Sequence, residues 1–379
     1  MTKVTPEKAL SLGTEILTER AGTPVTIKRA RPIHSDSDAV LVRGVTSNTT
    51  FLPKQNIVIK VFPERGGDRD GLLLREVVGY QFVDSLSADH EFGPKLIAYD
   101  LSKRTIVLSD LGESKTLQDY LSDEDNSDKA PRILVNLARL IGRMQLATAG
   151  REEDFHALLH LAEAKTEGVK VPYSSQLLAN SLSSFPTLLA DKLGVTLGEY
   201  IAERGEHATR RALKGNYRAF SSAELIPENI LITADAIQLL DFAFCGFRDI
   251  GVDVAAILLG FPSDPVKYQI DHSVTDKIVA AWVEEVDSLW PRMRRVPSAH
   301  RRILDGALTW VWLTVRWVLD CEEFTEARNA GKTSRDFQNL LDIALRNLIR
   351  FDELASYWEM PEYAEHAREI ADRLQQLFS

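Results

Sequence analysis

One basic side chain stands inside a strongly apolar run. Lys60 is flanked on both sides by the aliphatic and aromatic residues of segment 57–62. An ammonium group in such a strand is costly to bury unless it meets an anion, although an edge strand would let its head reach water. Glu76 follows 16 residues later, among apolar residues at helical spacing. The two residues predict a strand lysine that is fixed by a carboxylate on the next helix. The ammonium group of such a lysine can bind phosphate oxygens. The alternative for Glu76 is an ordinary solvated helix charge, which is what we expect of its neighbour Arg75.

A second pair of oxygen-bearing side chains flanks two short apolar runs. Asn229 directly precedes the run 230–233, and Asp241 ends the run 236–241. If the runs form a hairpin around residues 234–235, both side chains lie at its open end. There they can converge on one Mg²⁺ that completes its shell with phosphate and water. The alternative is turn chemistry, because Asn and Asp favour turns through local hydrogen bonds.

These residues occur in an order that resembles a known family. The set Lys60, Glu76, the loop 224–229 and Asp241-Phe242 resembles the aminoglycoside phosphotransferase and choline kinase branch of the protein-kinase-like fold. In that family the catalytic loop commonly reads His-Gly-Asp-Leu-His-Pro-Gly-Asn-Ile-Leu. Residues 222–231 of this chain read Ser-Ala-Glu-Leu-Ile-Pro-Glu-Asn-Ile-Leu. Five of those ten positions match, so the loop is a divergent version of the motif.

Two further segments extend the resemblance to roughly residues 20–320. Residues 107–112, Val-Leu-Ser-Asp-Leu-Gly, resemble the hinge between lobes, and residues 246–254 resemble the segment after the metal-binding aspartate. The resemblance implies an α+β, bilobal, protein-kinase-like fold. Residues 1–110 would form a small N-lobe with an antiparallel sheet and one helix. Residues 111–379 would form a large, mainly helical C-lobe with the catalytic and metal-binding hairpin.

The same resemblance implies a phosphotransferase that uses ATP or GTP and Mg²⁺ to phosphorylate a hydroxyl group. The lysine, held by its glutamate, would bind the nucleotide phosphates, and the hinge would contact the rest of the nucleotide. The resemblance implies that Glu224 is the catalytic base and that Asn229 and Asp241 bind the metal. It also implies a nucleotide-binding set, which consists of Lys60, Glu76, Ser109 and Leu111.

Several departures from the family pattern bear on catalysis, and one of them is Ser222 in place of the histidine that opens the motif. Glu224 stands where the family has its catalytic aspartate, and the extra methylene moves the carboxylate by about 1 Å, enough to cost about 10²-fold in rate unless the backbone compensates. The predicted turn 34–38 contains no glycine, so its backbone is less suited to approach phosphates closely.

The acceptor is predicted only by class. The resemblance implies a small hydroxylated molecule, such as an aminoglycoside, an amino alcohol or a sugar. A net charge of −10 adds the hypothesis that this molecule is cationic. One alternative is a Ser or Thr hydroxyl of a peptide. The other is a pseudokinase that binds a small molecule or a partner protein and transfers nothing.

Hydrophobic periodicity predicts the elements that must position these residues. Short β-branched runs predict three strands, then a helix over residues 72–83, then two strands up to residue 108. From residue 117 onward the apolar residues recur at helical spacing. This spacing predicts one continuous helical segment over 188–219 and a tryptophan-rich buried helix over 300–319. The hairpin over 229–241 interrupts this helical part.

Composition excludes several classes of protein. The 379 residues are 44% hydrophobic and 26% charged, as in ordinary globular proteins and unlike disordered or fibrous ones. Two cysteines in no metal-binding spacing argue against a disulfide framework or a zinc site. The acidic balance argues against nucleic acid as a partner. No apolar run is long enough to predict a membrane span, and the N-terminus lacks a signal core, so we expect a cytoplasmic protein.

Overall fold

The structure is a computed structural model. It describes residues 4–34, 39–63, 68–87, 91–122, 128–166, 168–171, 174–223, 225–234, 236–264, 266, 268–330 and 333–378. The chain forms two compact units, each built from several segments. Unit 1 comprises Met1–Lys115, Glu153–Pro172 and Leu231–Cys245, and unit 2 comprises Thr116–Glu152, Tyr173–Ile230 and Gly246–Ser379. The expected boundary between lobes at residue 110 stays a prediction.

Unit 1 is built on a five-stranded antiparallel sheet in the order β1-β2-β3-β5-β4. Its strands are β1 (Ile27–Ile33), β2 (Val40–Thr46), β3 (Asn56–Val61), β4 (Leu96–Asp100) and β5 (Thr105–Ser109). Two helices precede and interrupt them, α1 (Pro6–Ala21) and α2 (Asp68–Asp84). The order of three strands, one helix and two strands is as predicted, whereas α1 was not predicted.

The two faces of this sheet differ because side chains alternate along a strand. Ile57, Ile59 and Val61 of β3 are at most 2% exposed and belong to the core that α1 closes. Packing is close at Gly13 of α1, where an added Cβ would lie 2.4 Å from the Ile59 side chain. Lys60 therefore lies on the opposite face.

The predicted hairpin is present, with β8 (Ile230–Ile232) and β9 (Ile237–Leu239). Thr233 N donates to the carbonyl of Ala236 at 2.9 Å, which closes the turn. Residue 235 lies outside the described residues. The segment after β9, which contains Asp241, belongs to unit 1.

Unit 2 is mainly helical. A two-stranded antiparallel sheet, β7 (Arg218–Ser221) with β10 (Gly246–Asp249), pairs Ser221 with Gly246. The short strand β6 (Lys115–Thr116) precedes the helices of the remaining chain. These helices are α3 (Leu117–Ser122), α4 (Ala130–Thr148), α5 (Glu152–Ala164), α6 (Ser174–Leu193), α7 (Glu199–Leu213), α8 (Gly251–Leu258), α9 (His272–Val286), α10 (Val296–Asp320), α11 (Phe324–Ala330), α12 (Arg335–Tyr357) and α13 (Pro361–Phe378), of which α5 falls almost wholly in unit 1.

Two expectations for the helical part are wrong. The single helical segment over 188–219 is broken between α6 and α7, where Gly194 has a φ of 68° that ends a helix. It also ends before β7. In the tryptophan-rich helix α10, Trp310 and Trp312 are buried, but Trp317 is 37% exposed because it lies on the outer side. No helix among the described residues is long and apolar enough to cross a membrane.

Candidate active site

Three charged side chains meet in unit 1. Lys60 Nζ donates to Glu76 Oε1 at 2.7 Å and to Asp241 Oδ2 at 3.3 Å. The Glu76 side chain is fully buried, whereas 12% of the Lys60 side chain and 25% of the Asp241 side chain remain exposed. The strand lysine and helix glutamate therefore form the predicted ion pair, and the aspartate that follows β9 joins it.

Burial and mutual charge control this cluster. Burial alone lowers the pKa of Lys60, but attraction to Glu76 and then to Asp241 outweighs it and raises the pKa above its usual value. Burial raises the pKa of Glu76, and repulsion from Asp241 adds to that effect, while Lys60 opposes both. Within the described part of the chain, Glu76 Oε2 is buried without a hydrogen-bond partner. The negative charge of Glu76 thus depends on Lys60.

Helix α2 also holds the backbone on which Asp241 sits. Tyr80 Oη donates to the carbonyl of Leu240, and its ring packs edge-on against Phe242 with centroids 5.0 Å apart. Gly79 allows close approach, because an added Cβ would lie 2.7 Å from Phe242 Cβ and 2.8 Å from Cys245 Sγ. Asp241 Oδ1 accepts from the backbone N–H of Ala243 at 2.8 Å. Glu76 therefore lies on α2, and Asp241 lies on a segment that α2 holds through Tyr80.

The predicted hinge residues lie at the end of β5 and directly after it, in the same unit. Ser109 Oγ accepts from the N–H of Lys95 at 2.8 Å, and Leu111 is partly exposed. Between them, Asp110 is held against Arg43 of β2, with Arg43 Nε 2.8 Å from Asp110 Oδ2. Arg43 was not singled out in the sequence, because it pairs with residues 67 and more positions away.

The loop predicted to carry the base belongs to unit 2, and Glu224 itself lies outside the described residues. The residue before it, Ala223, has a φ of 72°, a left-handed conformation at a position where the related motif has glycine. Its N–H donates to Ser221 Oγ at 2.9 Å, and Ser221 Oγ donates to buried Asp253 at 2.7 Å. Ser222 Oγ is buried and has no hydrogen-bond partner among the residues that the structure describes. This chain of bonds holds the backbone leading into residue 224.

Asn229 ends a 3₁₀ turn over Pro227–Asn229, directly before β8. Its N–H donates to the carbonyl of Ile226 at 2.9 Å, and its side chain is partly exposed. Asn229 therefore offers an amide oxygen in unit 2, and Asp241 offers a carboxylate oxygen in unit 1, both of the hard type that Mg²⁺ prefers. Within the described part of the chain, no three His, Cys, Asp or Glu side chains cluster as a metal site.

Sequence reasoning misjudged one charge on α2. Arg75, beside Glu76, was expected to be a solvated helix charge but is only 4% exposed. Its carbonyl accepts from Cys245 Sγ at 3.8 Å, which adds another link between α2 and the segment after Asp241. A helix that is buried on two sides has no solvent-exposed face on which a charged residue can lie. The spacing of apolar residues in the helix does not by itself show that the helix is buried in this way.

Comparisons with known proteins agree with this architecture. No protein-family model and no curated protein sequence matches the chain. Among solved structures, it is similar to a choline kinase from Cryptosporidium parvum, with a TM-score of 0.46, 12% identity and 93% of each chain covered. It is also similar to the choline kinase LicA from Streptococcus pneumoniae, with a TM-score of 0.47, 12% identity, and 89% and 98% covered.

A third similarity is strong enough to define the fold. The GDP complex of wild-type aminoglycoside 2'-phosphotransferase-IIIa matches with a TM-score of 0.50 and 14% identity, over 92% of this chain and 98% of that chain. The predicted fold class is confirmed: this chain has the α+β, protein-kinase-like fold that this aminoglycoside phosphotransferase also has.

Proposed function

We propose that the protein is a nucleotide-dependent phosphotransferase that acts on a hydroxyl group of a small molecule. The observation that carries this proposal is the buried cluster of Lys60, Glu76 and Asp241. A carboxylate pair around one lysine, on the central strand of a sheet and partly open to solvent, is suited to bind the phosphates of a nucleotide and a cation beside them. The solved structures with this fold include kinases in complex with GDP, ADP and AMP-PNP.

Each site residue is proposed to have one role. Lys60 donates to phosphate oxygens, and Glu76 keeps the ammonium pointed toward them. Asp241 supplies a carboxylate oxygen for Mg²⁺, which neutralises phosphate charge when it is bound. Asn229 is proposed as a second oxygen ligand, and Glu224 as the group that orients or deprotonates the acceptor hydroxyl, both from the sequence pattern. Positioning and charge neutralisation supply most of the catalysis in such transfers.

The acceptor is proposed to be a small hydroxylated molecule, and the overall charge of −10 favours a cationic one. The relatives with this fold act on such compounds, since two are named as choline kinases and others carry hygromycin B. A competing candidate is a nucleotide-binding protein that transfers nothing. It is favoured by the glutamate at position 224 and by Ser222 in place of histidine.

The nucleotide site is tested by thermal stabilisation with Mg²⁺ and ATP or GTP. We expect stabilisation of the natural protein, and its loss in Asp241→Asn, because the amide carries no charge to attract the cation. Asp191→Asn, an exposed change on α6, is the matched control and retains the effect. If neither Mg²⁺-ATP nor Mg²⁺-GTP stabilises the natural protein at millimolar concentration, the proposal is refuted.

Phosphoryl transfer is tested with a pool of hydroxylated acceptors and γ-labelled nucleotide. We expect Glu224→Gln to lose transfer while it still binds nucleotide, and Glu206→Gln, an exposed change on α7, to retain both. If the natural protein binds nucleotide but labels no acceptor, the competing binding function is favoured. If Glu224→Gln transfers phosphate as well as the natural protein, Glu224 is not the base.

A further inference from the structure

The sheet face that carries Lys60 continues in two directions along β3. Toward the end of the strand lies Phe62, whose ring centroid is 4.8 Å from Lys60 Nζ. At this end Arg104 donates to the carbonyl of Pro63 and pairs with Asp70, so these polar groups already bind one another. The other direction along the strand therefore offers more room for the base of a nucleotide whose phosphates meet Lys60.

In that other direction the face has an apolar floor. Val58 lies two residues before Lys60, about 7 Å along the strand, and is only partly buried. The register pairs Val58 with Leu108 of β5 and with Arg43 of β2, so all three side chains share the face of Lys60. A flat base next to the phosphate-binding lysine would lie on Val58 and Leu108, with Arg43 at its edge.

The guanidinium of Arg43 is held in place. Its Nη2 donates to the carbonyl of Gly112 at 2.8 Å, and its Nε is 2.8 Å from Asp110 Oδ2. The Asp110 side chain is 4% exposed, and its other oxygen accepts from the N–H of Gly112 at 3.0 Å. Glu113, whose side chain is 70% exposed, lies 3.8 Å from Arg43 Nη1. The Arg43 side chain remains 20% exposed, and its Nε is buried, so a ligand at the surface can meet this guanidinium only at the Nη1 and Nη2 end.

We propose that Arg43 reads the base of the bound nucleotide and that the protein prefers guanine nucleotides to adenine nucleotides; this inference rests on the proposed nucleotide-binding function. A guanidinium only donates hydrogen bonds. Guanine presents two adjacent acceptors, O6 and N7, to such a fork, whereas adenine presents one acceptor beside an amino group that also donates. The arginine therefore gains two bonds with guanine and opposes the amino group of adenine.

The test compares dissociation constants for Mg²⁺-GDP and Mg²⁺-ADP by calorimetry on the full chain. The natural protein is expected to bind the guanine nucleotide about tenfold or more tightly, the discrimination typical of one arginine–guanine pair. Arg43→Met removes the N–H donors of the guanidinium. Arg43→Lys keeps the positive charge beside Asp110 but removes the planar pair of donors. Both variants are expected to bind the two nucleotides within about threefold of each other. Arg20→Met, an exposed change on α1, retains the preference.

The possible results separate the two proposals. Equal binding of both nucleotides, or tighter binding of ADP, by the natural protein overturns the inference and leaves the proposed function standing. A guanine preference that persists in Arg43→Lys also overturns it, because another group must then read the base. If neither nucleotide binds at millimolar concentration, the proposed function fails and the inference fails with it.

Discussion

Stability is expected to fall in mild acid because of one buried histidine. His366 of α13 is 5% exposed, and its Nε2 is 2.9 Å from Trp312 Nε1 of α10. An indole N–H only donates, so Nε2 must accept and must be unprotonated. Burial lowers the pKa of His366 from 6.5 to about 4. Protonation would break this bond and place a charge in an apolar core.

The sign and size of the effect follow from proton linkage. The unfolded chain binds the proton more tightly than the folded protein, so the contribution of neutral His366 is complete above pH 6.5 and is lost as the pH falls toward 4. A shift between these pKa values lowers the free energy of unfolding by about 2 kcal/mol at pH 5, and by about 3 kcal/mol below both values.

The assay is urea unfolding at pH 8 and pH 5, followed by tryptophan fluorescence. In His366→Gln the amide oxygen can still accept from Trp312 and does not titrate, so the loss between the two pH values should be about 2 kcal/mol smaller than in the natural protein. His272→Gln, at an exposed position on α9, should leave the loss unchanged. An NMR titration of His366 with a midpoint near 6.5, or equal losses in the natural protein and His366→Gln, would refute the reasoning.

Three further substitutions test the packing of the site and of the helical unit. Gly79→Ala places a Cβ 2.7 Å from Phe242 Cβ and should destabilise unit 1 by about 1–3 kcal/mol, measured by urea unfolding, and should weaken Mg²⁺-nucleotide binding in calorimetry. Ala223→Gly removes a side chain from a residue with φ of 72° and should stabilise the protein by about 1 kcal/mol in urea unfolding. Arg204→Met removes the guanidinium that binds buried Asp305 through two nitrogens, while Arg211 and Tyr363 still bind Asp305, and should lower the free energy of unfolding by about 1.5–3 kcal/mol.

Each of these outcomes can be contradicted by a simple result. Unchanged stability in Gly79→Ala would mean that α2 and the segment after β9 can move apart freely. A loss of stability in Ala223→Gly would mean that the left-handed conformation at this position is not strained. A change below about 1 kcal/mol in Arg204→Met, the range of exposed ion pairs, would mean that water replaces the guanidinium.

The strands of unit 1 were predictable because their pattern is local. Runs of β-branched residues between turns identify β2, β3 and β5 within one or two positions. The pairing of Lys60 with Glu76 was predictable for a related reason, since a charge among apolar residues must find an opposite charge. Helix α1 was not predicted, because its period is weak and its apolar side becomes visible only against the sheet core.

Other features depend on contacts that no local pattern records. The role of Arg43 follows from strand register and from Asp110, which lies 67 positions away in the sequence. The burial of Arg75 and the close approach at Gly79 arise because α2 packs against the segment after β9, more than 160 residues later. Such distances in the sequence are closed only when the chain folds.

The amino-acid sequence by itself determined which chemistry is available: a lysine, three acidic groups and an amide in an order that resembles kinase-like phosphotransferases. It determined this because charged residues in apolar runs are costly and therefore informative. Tertiary structure decided which of these groups meet in unit 1, how Asp241 is fixed to α2, and which arginine flanks the face beside Lys60. These are decided by close packing and strand register, which depend on the whole fold and not on any one segment.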